Sequence, residues 1–194
     1  EDALLPRPLS VHRVDGEKVA LLFAIIGKGT EWLSQRQAGD KLDIFGPLGN
    51  GFEIYPDSHN LLLVAGGIGI APLDFLEAAA LSQGCSVEHR RGAGTADQWL
   101  PDALQSRIRE VWPAATTLDG SAGKKGPVTI LIPPLADWAD QVFACGPVPM
   151  YREMALKKRE LKLEGKPVQV SLEIRMGCGR GVCYGCTIKT KGGL

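Results

Sequence analysis

The sequence predicts a partial β-barrel followed by an α/β domain with a parallel sheet, and then a short cysteine-rich segment. Short apolar runs separated by glycine-containing turns occupy the first part, as in β-barrels. Apolar runs then alternate with helical patterns, which is typical of parallel βαβ units. From Val168 onward this alternation stops, and glycine and cysteine dominate. We therefore predict three domains, at residues 1–56, 57–167 and 168–194.

The first domain is predicted to contain strands at residues 8–14, 18–26 and 41–46. Glycine-rich turns follow the second and third of these strands. Three strands cannot close a barrel and would leave open edges, so we expect residues outside this sequence to complete it. The sequence also begins at Glu1 without an initiator methionine or a signal-peptide pattern, which favours a piece of a longer chain.

The second domain begins with an apolar run at residues 61–65, as expected of a strand buried on both faces. Glycines follow, and then a helix is predicted over 72–82, because Pro72 suits a first helical turn. The remaining predictions are a weak strand from Val87, a helix over 97–111, a strand over 114–118, an ambiguous segment at 128–136, a buried strand over 141–145 and a helix over 148–163.

Composition argues against several classes of function. Lysine plus arginine and aspartate plus glutamate are both 22, so the formal net charge is zero, which argues against a nucleic acid or a membrane surface as the main partner. No stretch approaches the ~20 apolar residues of a membrane-spanning helix. The cysteine pattern does not resemble a secreted disulfide framework, so we predict a cytoplasmic location. The three histidines form no cluster in the sequence, and acid–base hydrolysis has no support.

Three cysteines near the C-terminal end carry the most specific signal. Cys178, Cys183 and Cys186 have the C-x4-C-x2-C spacing of plant-type 2Fe–2S sites, which need a fourth thiolate further on. Glycines between and beside them allow the backbone to wrap closely round a cluster. The alternatives are a three-cysteine zinc site or unpaired thiols. Because structural zinc prefers two C-x2-C pairs or cysteine–histidine pairs, the spacing favours a ferredoxin-like 2Fe–2S loop.

Two strand ends in the second domain carry glycines and precede helices. Residues 66–73 are Gly-Gly-Ile-Gly-Ile-Ala-Pro-Leu, and residues 145–150 are Cys-Gly-Pro-Val-Pro-Met. Such turns present backbone N–H groups to a phosphate, and ligands of open α/β sheets bind beyond the carboxyl ends of the strands. Together they would hold the two halves of a dinucleotide. Taken singly, each is equally a tight turn without a ligand, and Cys145 is then a small buried residue.

A third candidate site lies in the first domain. Residues 7–10 are Arg-Pro-Leu-Ser, and Gly29 and Thr30 lie on the facing turn. Arginine binds a pyrophosphate in bidentate fashion, and the two hydroxyl groups add donors. Taken alone, residues 7–10 are better explained as an exposed, charged strand end.

The order of Arg-Pro-x-Ser, Gly-Thr, Gly-Gly-x-Gly-x-Ala-Pro-Leu and Cys-Gly-Pro-x-Pro-Met resembles the ferredoxin–NADP reductase superfamily. With the cysteine loop and the Lys-Thr-Lys-Gly-Gly stretch at 189–193, the chain resembles the electron-transfer subunits of type 1B dihydroorotate dehydrogenase along essentially its whole length. The resemblance implies that 1–56 is part of an FAD-binding β-barrel, 57–167 an NAD-binding α/β domain and 168–194 a 2Fe–2S segment.

The resemblance also implies which residues contact each cofactor, and it implies no catalytic side chain. For FAD these are Arg7, Pro8, Leu9, Ser10, Leu22, Phe23, Ala24, Gly29 and Thr30. For NAD they are Gly66, Gly67, Gly69, Ala71, Pro72, Cys145, Gly146, Pro147 and Met150. The cluster ligands are Cys178, Cys183 and Cys186, with a fourth expected in a tail beyond this sequence rather than at Cys85. Members often carry arginine in place of Ala24, which puts one FAD contact in doubt.

The function implied is that of an oxidoreductase subunit in pyrimidine biosynthesis. In relatives, an FMN-containing catalytic subunit oxidises dihydroorotate, and electrons pass through 2Fe–2S and FAD to NAD⁺ within a heterotetramer. NADP in place of NAD stays open, because Arg90 and Arg91 are expected after the second strand, where arginines bind a 2′-phosphate. The alternatives are a related NAD(P)H–ferredoxin oxidoreductase or sulfide dehydrogenase subunit and, outside enzymes, a zinc-binding interaction module.

Overall fold

The computed structural model describes residues 5–99 and 115–191 of the 194-residue chain. Its strands are β1 (Val11–Asp15), β2 (Lys18–Leu21), β3 (Asn60–Gly66), β4 (Ser86–Ala93), β5 (Ala115–Thr117), β6 (Lys124–Lys125), β7 (Gln141–Cys145) and β8 (Val168–Ser171). Its α-helices are α1 (Lys28–Ser34), α2 (Ile70–Ser82), α3 (Pro133–Ala136) and α4 (Val148–Leu156). Short 3-10 helices lie at Gly67–Gly69, Ala96–Gln98 and Val128–Leu131.

A six-stranded sheet with the order β6-β5-β4-β3-β7-β8 dominates the structure, and every neighbouring pair is parallel. The chain steps outward from β3 through β4 to β6 and then returns to β7 on the other side of β3. The strand order therefore reverses between β3 and β7. In open α/β sheets this switch point is where ligands bind, at the carboxyl ends of the strands. The predicted parallel sheet is confirmed.

The core lies on both faces of β3, because successive side chains of a strand point to opposite faces. Leu62 and Val64 pack on one face with α3 and α4, whereas Leu61 and Leu63 pack on the other with α2. Residues 61–65 are all buried, which explains their unbroken apolar run. This strand fixes the position of the glycines that follow it.

The first domain is organised differently from the prediction. β1 and β2 form an antiparallel pair that is shorter than predicted, and residues 41–46 form no strand, so that prediction is wrong. A strand is stable only when its backbone groups have partners. Across the two described ranges, β1 and β2 pair only with each other and 41–46 pair with no strand. The predicted partial barrel is not confirmed.

Side-chain hydrogen bonds attach the end of this domain to the sheet. The amide of Gln141 on β7 accepts from the Tyr55 N–H at 3.1 Å and donates to the Glu53 carbonyl at 2.9 Å. Gln169 on β8 accepts from the Glu53 N–H at 2.9 Å. The Phe52 ring meets the Phe143 ring edge-on, with centroids 5.3 Å apart. The segment at 52–55 is therefore fixed against β7 and β8.

Several boundaries in the second domain also differ. The first helix begins at Ile70, the segment 128–136 forms a 3-10 turn and α3, and most of the predicted helix over 97–111 lies outside the described residues. The helix predicted to run to residue 163 ends at Leu156. Leu161 and Leu163 are both buried, and positions two apart would face different sides of a helix.

The sheet extends past residue 167, because β8 pairs with β7. The domain division itself stays a prediction. No helix in the described ranges is both long and apolar enough to span a membrane, and the cytoplasmic location also stays a prediction.

Candidate functional site

The loops after β3 and β7 touch at the carboxyl edge of the sheet, and glycines permit the contact. A side chain at Gly69 would overlap the carbonyl group of Cys145. A Cβ at Gly66 would lie 2.6 Å from Pro147 Cδ, and one at Gly146 would lie 3.0 Å from the Gly66 backbone. These glycines are required for close backbone approach. The two glycine loops predicted from the sequence therefore meet at one site.

The helix α2 starts directly behind this contact. Gly67 has a φ of +55°, a left-handed conformation that favours glycine. In the described part of the chain, no side chain caps the start of α2. The positive end of this 13-residue helix therefore lies at the contact between the two glycine loops. A helix start of this kind can bind phosphate groups. Ala71 is buried and Pro72 half-buried within the first turn.

Tyr151 holds the second loop in place, and the sequence analysis missed it. Its hydroxyl accepts the Gly146 N–H at 2.7 Å and donates to the Ser171 carbonyl. Burial raises the pKa of the Tyr151 phenol, so the proton that is donated stays in place at neutral pH. Burial also raises the pKa of the Cys145 thiol, which is 1% exposed. Cys145 therefore serves as a small buried neighbour of the site and not as a thiolate.

The residues expected at the flavin lie just before β1, just after β2 and in the first turn of α1. The Arg7 side chain crosses the backbone of Gly29, where a Cβ would lie 2.9 Å from the guanidinium Nε. The Thr30 hydroxyl accepts the Ile26 N–H at 3.0 Å and donates to the Gly27 carbonyl at 3.0 Å. It therefore holds the turn in shape, in addition to any contact with a ligand.

The remaining residues expected at the flavin lie just before β1 and just after β2. Leu22 and Phe23 are half-buried and Ala24 is exposed, as are Arg7 and Pro8, whereas Leu9 and Ser10 are half-buried.

The first domain contacts α2 directly. The His12 ring on β1 places Nδ1 3.3 Å from the Ala71 carbonyl, within the first turn of α2. Leu22 also packs against the core cluster that includes Leu73. The expected flavin residues and the dinucleotide loop therefore belong to neighbouring surfaces.

The cysteine loop has the backbone geometry of a thiolate site. Gly179 and Gly181 have φ values of +64° and +74°. The Cys178 sulfur accepts the Arg180 N–H at 3.3 Å. Backbone N–H groups of Arg180, Cys183 and Val182, together with the Cys183 side chain, lower the pKa of Cys178 to about 6. These donors favour the thiolate form of Cys178, which is the form that binds metals.

Glycines also enclose the Cys183 sulfur. A Cβ at Gly177 or Gly185 would lie 3.2 or 3.5 Å from it. None of the five cysteines forms a disulfide, and Cys178, Cys183 and Cys186 are accessible whereas Cys85 is buried. Soft thiolates with backbone N–H donors suit an iron–sulfur cluster. The cysteine loop contacts the first domain, because the Arg180 guanidinium lies 5.7 Å from the centroid of the Phe45 ring.

The position expected for two arginines is wrong. Arg90 and Arg91 lie within β4 and not after it. Arg90 donates to the Glu88 carboxylate at 3.0 Å, and Arg91 interacts with Asp74 and Glu77. Neither arginine therefore supports a 2′-phosphate site at the end of this strand.

Two of the three histidines, His12 and His89, come together in space around the Asp74 carboxylate. His12 and His89 each place Nδ1 within 4 Å of the Asp74 carboxylate, at 3.8 and 3.9 Å. Only the fold brings them together, because they lie on β1 and β4. The one sequence signal was the pair Asp74 and Glu77, spaced three apart in an otherwise apolar helix.

No protein-family model matches the chain. Among solved structures, it is similar to the NADH-dependent reduced ferredoxin-NADP oxidoreductase of flavin-based electron bifurcation, with a TM-score of 0.80, 36% identity and coverage of 96% of this chain and 67% of that chain. The ferredoxin reductase of carbazole 1,9a-dioxygenase gives a TM-score of 0.62 over 84% of this chain and 54% of that chain, at 16% identity, and shows the fold alone. The fold, the touching loops after β3 and β7 and the 36% identical neighbour thus define an oxidoreductase of the ferredoxin–NADP reductase type.

Curated relatives narrow this class. The chain is 39% identical to a protein of Clostridium acetobutylicum (97% of this chain, 73% of the relative), 41% to one of Desulforamulus reducens (97% and 72%) and 38% to one of Geobacillus thermodenitrificans (98% and 73%). All three are dihydroorotate dehydrogenase B (NAD(+)), electron transfer subunits. The chain therefore belongs to the family of electron transfer subunits of dihydroorotate dehydrogenase B.

Proposed function

We propose that this chain transfers electrons from an FMN-containing, dihydroorotate-oxidising partner subunit to NAD⁺, through a 2Fe–2S cluster and FAD, within a heterotetramer. One observation carries the proposal. The cysteine loop rests on Phe45 of the first domain, and the first domain in turn rests on α2 through His12. This succession of contacts supports the proposed order of electron transfer, from the cysteine loop through the first domain to the carboxyl edge of the sheet.

The carboxyl edge of the sheet is the candidate NAD site. The glycine loop at 66–69 and the positive end of α2 would hold the pyrophosphate, with Ala71 and Pro72 shaping the first helical turn. Gly146, Pro147 and Met150 would border the nicotinamide, next to the buried Cys145. The positions of Arg90 and Arg91 within β4 support NAD over NADP, because an NADP site offers arginine to the 2′-phosphate.

The first domain is the candidate FAD site. Arg7 would donate to the diphosphate from its position across Gly29, and Thr30 keeps that turn closed. Leu22, Phe23 and Ala24 would border the flavin, and Pro8, Leu9 and Ser10 the chain that joins it to the diphosphate. A flavin, when bound, exchanges single electrons with a cluster and a hydride with nicotinamide, which is why it stands between them.

The cysteine loop is the candidate 2Fe–2S site. Cys178, Cys183 and Cys186 would supply three thiolates, and the Arg180 N–H would continue to donate to the Cys178 sulfur. Hydrogen bonds to sulfur and solvent exposure set the reduction potential of such clusters. The accessible side of the loop, at the exposed Cys183 and Tyr184, would face the electron donor.

Co-purification with the catalytic partner tests the proposal. We expect the complex to show flavin and iron–sulfur absorption and to form NADH when dihydroorotate and NAD⁺ are supplied. Cys183→Ser should abolish dihydroorotate-dependent NADH formation and the iron–sulfur bands. Cys85→Ser, a change at a buried cysteine, should leave both intact. An assembled complex with all cofactors that does not oxidise dihydroorotate would contradict the proposal.

A second candidate function has one observation in its favour. The NADH-dependent reduced ferredoxin-NADP oxidoreductase is 36% identical to this chain at a TM-score of 0.80. The same arrangement of sites would then serve NAD(P)H and ferredoxin. A purified complex that reduces ferredoxin with NADH and ignores dihydroorotate would favour this candidate over the first.

A further inference from the structure

Three side chains of types that bind metal ions lie close together between α2 and β4. Asp74 and Glu77 are three residues apart on α2, so they share one face of the helix. His89 faces them from the middle of β4. One ligand atom from each of the three lies within 4.8 Å of the other two. The cluster is thus compact and joins a helix to the sheet.

Two members of this cluster are buried without hydrogen bonds. Asp74 is 6% exposed and His89 is 7% exposed. In the described parts of the chain, neither carboxylate oxygen of Asp74 and neither ring nitrogen of His89 has a hydrogen-bond partner. Buried polar groups are normally paired, because burial removes their hydration. A ligand between these groups would supply the missing partner.

The separations fit coordination better than direct pairing. His89 Nδ1 lies 3.9 Å from Asp74 Oδ1 and 3.8 Å from Glu77 Oε2. Both separations exceed the ~3.2 Å limit of a good N–H···O hydrogen bond. Two ligands of a tetrahedral Zn²⁺, at bonds of about 2.0–2.1 Å, stand about 3.3 Å apart. Rotamer adjustment of these side chains would bring the three ligand atoms, which lie within 4.8 Å of one another, onto one ion.

The local charge favours a cation. Asp74 and Glu77 supply two carboxylates, and Arg91, two residues after His89 on the same face of β4, offsets one of them. Burial raises the pKa of Asp74, and nearby His89 and Arg91 oppose that rise. Counted as formal charges, the two carboxylates and the one guanidinium sum to one negative charge. A divalent cation reverses that charge and removes the cost of a buried carboxylate.

We propose that Asp74, Glu77 and His89 bind a divalent cation, and that one imidazole with two carboxylates matches Zn²⁺. The ion would fasten α2, and with it the phosphate-binding helix start, to β4. His12 is a positioning residue: its Nδ1 lies 3.8 Å from Asp74 Oδ2, and it joins β1 to the cluster. The site is separate from the cysteine loop and does not depend on the proposed electron transfer.

The cysteines would also bind Zn²⁺, so the test removes them. The full chain carrying Cys178→Ser, Cys183→Ser and Cys186→Ser is titrated with Zn²⁺ in competition with a chromophoric chelator. We expect one equivalent to bind. Asp74→Asn and His89→Gln, which keep side-chain size, should each weaken binding at least ~100-fold, more than loss of an outer-shell partner. Asp57→Asn and His59→Gln, at exposed positions, are the matched controls and should not weaken it.

A thermal measurement keeps the test decisive if a variant folds poorly. At 100-fold excess of Zn²⁺ over its Kd, the Tm of the chain with the three cysteine-to-serine changes should rise by about 5–10 °C. Co²⁺ should give visible bands of nitrogen and oxygen ligation without thiolate charge transfer. Absence of both effects in the chain with the three cysteine-to-serine changes would overturn the proposal. Zn²⁺ affinity unchanged by Asp74→Asn and His89→Gln would overturn it as well.

Discussion

The parallel sheet and the first domain contain similar apolar runs, but the run in the sheet is buried and those in the first domain are exposed. Residues 61–65 are at most 1% exposed, whereas Ile26 is 87% exposed and Ile44 is 73% exposed. In the sheet, every strand has a paired neighbour, and the central strands β3 and β7 are covered on both faces. In the first domain, the described strands pair only as one hairpin. Burial therefore follows from pairing and coverage, and apolar sequence alone does not produce it.

The largest effect that tests this comparison is expected at Leu63. Leu63→Ala should lower the free energy of unfolding by about 2–5 kcal/mol, because Leu63 is fully buried between β3 and α2. Ile26→Ala, a change of similar size at an exposed site, should alter it by less than about 0.5 kcal/mol. Urea unfolding measures both. Equal losses would mean that Ile26 is covered in solution.

The next effect concerns the glycine contact between the loops. Gly69→Ala should cost about 1–3 kcal/mol in unfolding free energy and should weaken NADH binding, because the added methyl overlaps the Cys145 carbonyl. Gly51→Ala is the control, since nothing lies within 4 Å of a Cβ there. Calorimetric titration with NADH measures the binding. Normal NADH affinity in Gly69→Ala would contradict the close loop contact.

A smaller effect is expected from Tyr151→Phe, which removes the hydroxyl that binds the loop after β7. Tyr151→Phe leaves the Gly146 N–H and the Ser171 carbonyl without this partner, which should cost about 1–2 kcal/mol. The KM for NAD⁺ should rise more than kcat falls, because the change displaces a binding loop. Tyr55→Phe, at an exposed position, is the control. A Tyr151→Phe enzyme with an unchanged KM would show that the hydroxyl does not position this loop.

The smallest effect belongs to the surface of α4. Hydrogen bonds from Lys157 and then Thr129 lower the pKa of Glu153. A lowered folded-state pKa gives stability that is present above the unfolded value, roughly 4.3, and is lost as the pH falls toward the folded value. Glu153→Gln should cost about 0.5 kcal/mol or less at pH 7 and reduce the loss of stability below about pH 4.5.

Unfolding curves at a series of pH values measure the effect at Glu153. The control is Glu164→Gln, at an exposed glutamate. Identical pH profiles for Glu153→Gln and the unchanged chain would contradict the assignment.

The comparison also separates what the sequence could predict from what it could not. The strand, glycine turn and helix at 60–82 were predictable, because apolar run, glycines and proline follow one another directly in the chain. The short strand at 115–117 and the buried strand at 141–145 had the same local character. Their parallel pairing followed from the alternation of strands and helices.

The missed features depend on contacts between distant segments. β8 is half-exposed at the sheet edge and has too few apolar residues to be recognised without β7 beside it. Tyr151 has its role only because Ser171 lies across from it. Asp74 and His89 meet only after α2 has folded onto β4. Residues 41–46 have a strand-like pattern but no pairing partner in the described ranges, so pattern alone misled there.

The hydroxyl of Tyr151 links the loop after β7, which is the candidate nicotinamide loop, to the last residue of β8. From Ser171 the chain runs straight into the segment that carries Cys178. The spacing between the proposed nicotinamide site and the proposed cluster site would therefore depend on the position of a single phenol. Any insertion between 171 and 178 would change that spacing while leaving both binding loops chemically intact.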